Sequence, residues 1–103
     1  MNVEQVWVQA HRLLRPGTEV RAWSRDKEFT KTTFKIEDND ASAIIVSSSS
    51  VSKPRRIGKK DFMRVAASWD DYCSGKIGRD EMTELSQNTT YIFGILKWLE
   101  SEH

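Results

Sequence analysis

Apolar residues recur at helical spacing near the start of the chain: Val3, Val6/Trp7, Ala10 and Leu13/Leu14, with Glu4, Gln5, Gln9 and Arg12 between them. This pattern predicts a helix over residues 3–14, with Asn2 as N-cap and Pro16-Gly17 as its stop. The period then changes to two. Residues 18–24 and 32–37 alternate, and residues 42–48 form a short apolar run rich in β-branched side chains, so all three read as strands. Asp38-Asn39-Asp40 carries turn chemistry and predicts a hairpin between the last two. The serines at 47–50 suit either a mobile loop or an exposed strand end. Pro54 pushes Lys53 toward extended geometry, which allows a fourth, edge strand at residues 55–57.

From Gly58 the helical period returns. Gly58 and Asp61 stand at the spacing of a weak capping box, and Phe62, Val65/Ala66, Trp69 and Cys73 share one face of a helix closed by Gly75. A shorter helix begins at Asp80-Glu81, acids suited to a helix N-terminus, with Met82 and Leu85 on its apolar side. Ser86, Asn88 and Thr89 are cap candidates for a last helix carrying Tyr91/Ile92, Ile95/Leu96 and Trp98/Leu99. Strands grouped together and followed by helices predict an α+β fold: an N-terminal helix, a three- to four-stranded antiparallel sheet, then three C-terminal helices packed on one face. No internal repeat or linker divides the chain, so residues 1–103 are expected to form one domain.

Composition narrows the functional classes. With 38% hydrophobic and 10% aromatic residues and a net charge of +1, the chain is too apolar and too balanced to be disordered. No apolar run approaches the ~18 residues of a membrane span, and the first residues lack the apolar core of a signal peptide. A cytoplasmic protein with no membrane partner is therefore expected. The single Cys73 excludes an intrachain disulfide and a Cys-based zinc site, and its place on an apolar face predicts a buried core thiol. His11 lies mid-helix as a boundary side chain, and a two-histidine metal site would need His103 at the chain end. There is no glycine-rich phosphate loop and no Ser-His-Asp set. The carboxylate pairs Asp38/Asp40 and Asp70/Asp71 read as turn and solvated charge. The expectation is a non-enzymatic module without cofactor or metal.

The near-zero charge hides a local contrast. Residues 53–64 hold six basic side chains (Lys53, Arg55, Arg56, Lys59, Lys60, Arg64) against one acid, Asp61. In residues 65–86 the balance reverses, with Lys76 and Arg79 against Asp70, Asp71, Asp80, Glu81 and Glu84. The basic segment suits phosphate contact near a helix N-terminus. It equally suits an edge strand guarded by positive charge, or a solvated loop.

Residues 78–96 resemble a helix-turn-helix, with a polar turn Ser86-Gln87-Asn88, Ile92 and Ile95 facing the core, and Thr89, Thr90 and Tyr91 at the exposed start of a recognition helix, where Gln87, Asn88 and Thr90 suit base contacts. Met82, Ser86, Gln87, Tyr91 and Phe93 depart from that pattern, and a helical corner packed on a sheet gives the same periodicity. Arg79, Asn88 and Thr89 thus join the basic segment as candidate nucleic-acid contacts. Trp7 and Trp69 fall on apolar helix faces and read as core, as does Trp98. Trp23, between Arg21 and Arg25, suits core packing, base stacking or a dimer interface. Trp23, Tyr91 and Trp98 are the candidate homodimer contacts.

Three strings in the second half carry a resemblance: Arg56-Ile57-Gly58-Lys59-Lys60-Asp61-Phe62; Trp69 with Tyr72, Gly75 and Ile77; and Leu85-Ser86 with Asn88-Thr89-Thr90-Tyr91-Ile92. Together, over about residues 30–99, they resemble a module of small bacterial accessory-genome proteins, of the integron gene-cassette and defence-associated type. That family has no established activity to carry over. The resemblance implies a prokaryotic, horizontally mobile, cytosolic protein, and association with nucleic acid.

Overall fold

The computed structural model describes residues 2–24, 28–40, 42–48, 53–86 and 88–102, with no account of the side chains at 24, 28–32 and 102. The elements run α1 (Val3–Leu13), β1 (Glu19–Ser24), β2 (Glu28–Asp40), β3 (Ala43–Ser47), β4 (Arg55–Gly58), α2 (Lys59–Ala67), α3 (Trp69–Cys73), α4 (Arg79–Leu85) and α5 (Thr89–Glu102). The fold is α+β, an antiparallel sheet in the order β1-β2-β3-β4 with helices on one face. Among the described residues no helix is long and apolar enough to cross a membrane.

Alternation decides which face is covered. Val20, Phe34, Ile36, Ile44, Val46 and Ile57 are buried and lie in register beneath the helices. Glu19, Arg21, Thr33, Lys35 and Glu37 on the other face are exposed, so the sheet is half solvated. Asn2 caps α1 as the sequence implies, its Oδ1 accepting from the Gln5 amide at 3.2 Å. The fourth strand forms at Arg55–Gly58, one residue longer than the expected segment. Ser47 ends β3 and Ser48 follows it, while residues 49–50 lie outside the described residues.

Two bulges alter what simple alternation gives. Between Arg21 and Trp23 the β1 register shifts, so that Val20 and Trp23 both turn inward although they are three residues apart. A second shift between Ile36 and Asp38 turns Asn39 toward the helical side, opposite the buried Ile44. There the Asn39 amide donates to the carbonyls of His11 (2.8 Å) and Leu14 (2.6 Å). These are groups that the end of α1 leaves without helical partners. Residues 38–40 are consequently strand rather than turn. The reversal falls after Asp40, whose Oδ1 accepts from the Ser42 amide (2.8 Å) and hydroxyl (3.1 Å).

The helix expected to run on to Cys73 breaks at Ser68, which leaves helical geometry at φ −104° and ψ 5°. Among the described residues four C-terminal helices result instead of three. The break lets Trp69 and Tyr72 both face Trp23 and Phe93, with Trp23–Trp69 ring centroids 5.2 Å apart and Tyr72 stacked on Phe93 at 4.5 Å. It also turns Cys73 outward. The thiol is exposed, contrary to the core position that unbroken helical spacing implies.

Helix α5 crosses the sheet. Asn88 at its start meets β4, Tyr91 packs edge-on against Phe34 of β2 at 5.1 Å, and Gly94 lies against β1. A Cβ at Gly94 would sit 2.9 Å from the Arg21 carbonyl oxygen and 3.0 Å from the Phe34 ring, so glycine is required by the approach of two backbones. The Gly94→Ala substitution is expected to destabilise the fold by about 1–3 kcal/mol, overpacking outweighing the gain in helix propensity. Urea denaturation checks it; unchanged or increased stability would contradict this close approach.

Candidate anion-binding surface at the β4–α2 junction

The six basic residues of the 53–64 segment do not act as one group, because strand alternation splits them. Arg55, on the inner side of β4, is half-buried, and its Nη2 donates to Asn88 Oδ1 at 3.1 Å. Arg56 points to the open face, is exposed, and donates from Nη2 to the Ser42 hydroxyl at 3.1 Å. Lys53 is exposed just before the strand. Lys59 pairs with Glu4 of α1 at 3.4 Å, and Arg64 pairs with Asp61 one turn earlier at 3.8 Å. Lys60 is exposed and enters none of the ion pairs found among the described residues.

What the fold does gather is Ser42, Arg56, Lys59 and Lys60. With Gly58 and Asp61 they line an open hollow of about 490 Å³ at the start of α2. The Ser42 carbonyl accepts from the Lys59 amide at 2.9 Å, fixing the β2–β3 turn against the helix start. Gly58, the N-cap, has no side chain to bond the first-turn amides of α2. The positive end of the helix dipole therefore adds to the side-chain cations around the hollow. Ser42 is the contributor that sequence reasoning missed. It belongs to a turn fourteen residues upstream of Arg56, and the pairing of β3 with β4 brings the two together.

Asn88 and Thr89 are placed differently from the helix-turn-helix expectation. Their exposures are 7% and 3%, and their polar atoms are engaged within the fold. Asn88 Nδ2 donates to the Arg56 carbonyl at 3.1 Å, and the Asn88 amide donates to Ser86 Oγ at 3.0 Å. Ser86 Oγ in turn donates to Asp61 Oδ2 at 3.1 Å. The Thr89 hydroxyl lies 2.5 Å from the Ser86 carbonyl and 3.3 Å from that of Met82. Ile92 and Ile95 are buried as that pattern has them, Phe93 and Leu96 are buried too, and Thr90 is exposed at the start of α5. Gln87 lies outside the described residues. Arg79 is separate from the hollow: it donates to Thr90 Oγ1 at 2.9 Å and stands over the Phe93 ring at 5.9 Å.

The dimer candidates fare similarly. Trp23 is 6% exposed and packed on Trp69 in the core, and Arg25 lies outside the described residues. Tyr91 and Trp98 are half-buried against the core. Among the described residues no three His, Cys, Asp or Glu side chains group to hold a metal ion; His103 lies outside them.

Ion pairs among the described residues join Lys59 to Glu4, Arg64 to Asp61 and Lys97 to Glu100; none joins the basic segment to Asp70, Asp71, Asp80, Glu81 or Glu84. Compared with family models, curated proteins and solved structures, the chain matches none.

Two outcomes follow from this geometry. Asn88→Ala is expected to cost about 1–3 kcal/mol, because it leaves Arg55 and the Arg56 carbonyl without their partner in a part-buried setting. Chemical denaturation of the variant would show this, and a loss below ~0.5 kcal/mol would mean water replaces the clamp. The second outcome concerns Asp40. Hydrogen bonds from the Ser42 amide and hydroxyl, with a smaller attraction from Arg56, hold its carboxyl below the ordinary carboxylate range. A depressed folded-state pKa stabilises the fold above the unfolded-state value, and that contribution is lost as pH falls through the folded value. Carboxyl NMR titration should place Asp40 below the ordinary value, and Asp40→Asn should reduce acid sensitivity. A midpoint at or above the ordinary value would exclude the Asx-turn interaction.

Proposed function

We propose that this protein is a non-enzymatic module that binds nucleic acid weakly through the phosphate backbone, at the hollow formed by Ser42, Arg56, Lys59 and Lys60, with Lys53 beside it. The observation that carries the reading is the gathering of Arg56, Lys59 and Lys60 with the Ser42 hydroxyl at one hollow. Lys59 is paired with Glu4, whereas Lys60 is exposed and Arg56 donates to the neutral Ser42 hydroxyl, which favours contact with an external anion. Arg56 offers a planar fork of donors next to a hydroxyl, and the α2 N-terminus, whose Lys59 amide is taken by the Ser42 carbonyl, adds the positive end of its dipole.

The same geometry limits the mode. Asn88 and Thr89 are internal, and the large aromatic side chains with described burial are buried or half-buried, leaving no exposed stacking platform among them. Contacts to phosphate position a nucleic acid without reading its sequence. The net charge of +1 also favours low affinity.

Fluorescence anisotropy with duplex and single-stranded oligonucleotides at ~50 mM salt tests the proposal, with Kd expected in the ~1–100 μM range of non-specific binding. Four backbone contacts predict a log K against log salt slope of about −3 to −4, and the double substitution Arg56→Ala/Lys60→Ala should flatten it by about 2 units. Arg55→Ala should instead lower stability and leave the slope unchanged, because its guanidinium faces Asn88. Undetectable binding at low salt, or a slope indifferent to Arg56 and Lys60, refutes the proposal.

A further inference from the structure

We draw no further inference here: the strongest candidate outside the basic hollow, the shallow apolar groove between α1, α3 and α5 lined by Val6, Trp69, Leu96 and Leu99, carries nothing because nothing in the structure shows what covers it.

Discussion

The polar clamp centred on Asn88 is the constraint on which the arrangement of the second half depends. A helix laid across a sheet gains burial in many orientations, since apolar contact is not directional. Hydrogen bonds are directional, and Asn88 uses both ends of its amide on β4: Oδ1 accepts from Arg55 and Nδ2 donates to the Arg56 carbonyl. Ser86 extends the connection to Asp61 of α2. The start of α5, the start of α2 and the last strand are thereby joined at one point. From there α5 has a single path, with Tyr91 over Phe34 and Gly94 against β1. The clamp also covers part of an edge strand. A carbonyl of β4 that would otherwise remain open is occupied by a side chain, which discourages pairing with another chain.

Hydrophobic period was sufficient for the element order and for most of the core. Val3 to Leu14, Phe62 to Trp69 and Ile92 to Leu99 repeat often enough that one face is unambiguous, and the structure buries those faces. The misplacements share one cause, a single residue out of period. Bulges in β1 and β2 insert such a residue, turning Trp23 inward where alternation pairs it with Arg21, and making Asn39 a helix-end donor instead of a turn residue. The break at Ser68 does the same in the helical half and exposes Cys73. Neither bulge has a local signature such as glycine; each is selected by what it brings to the other side of the sheet. Tertiary demand of this kind is not encoded in a short window.

The candidate site was legible as charge but not as geometry. A cluster of Lys and Arg marks the segment, yet strand alternation gives Arg55 and Arg56 opposite duties, helical periodicity pairs Arg64 with Asp61, and the packing of α1 on α2 pairs Lys59 with Glu4. Ser42 carries no signal of its own. Asn88 and Thr89, polar residues ahead of an apolar run, fit a helix cap and a DNA-reading position equally in sequence. Burial separates the two, because a side chain whose donors and acceptors are satisfied inside the fold has none to offer a base edge.

Aromatic residues bear most directly on how such a module would meet a nucleic acid. A core built by 103 residues must use its largest side chains efficiently, and here Trp23, Trp69, Tyr72 and Phe93 form one contiguous cluster with Trp7 on Phe62 nearby. Buried aromatics cannot stack on unpaired bases, and among the aromatics with described burial only Tyr91 and Trp98 are even partly exposed. At the hollow, Arg56, Lys59, Lys60 and the Ser42 hydroxyl match phosphate and distinguish no base from another, while the Asp61 carboxylate on its rim opposes an anion. The charge separation along the chain then has a definite physical meaning. The acidic residues 70–84 bring the total close to zero without ion-pairing with the basic segment, so attraction at the hollow operates within a Debye length while the whole molecule stays nearly neutral. On the proposed reading the total charge would keep affinity low, and the turn at Ser42 and the start of α2 would set where the anion binds.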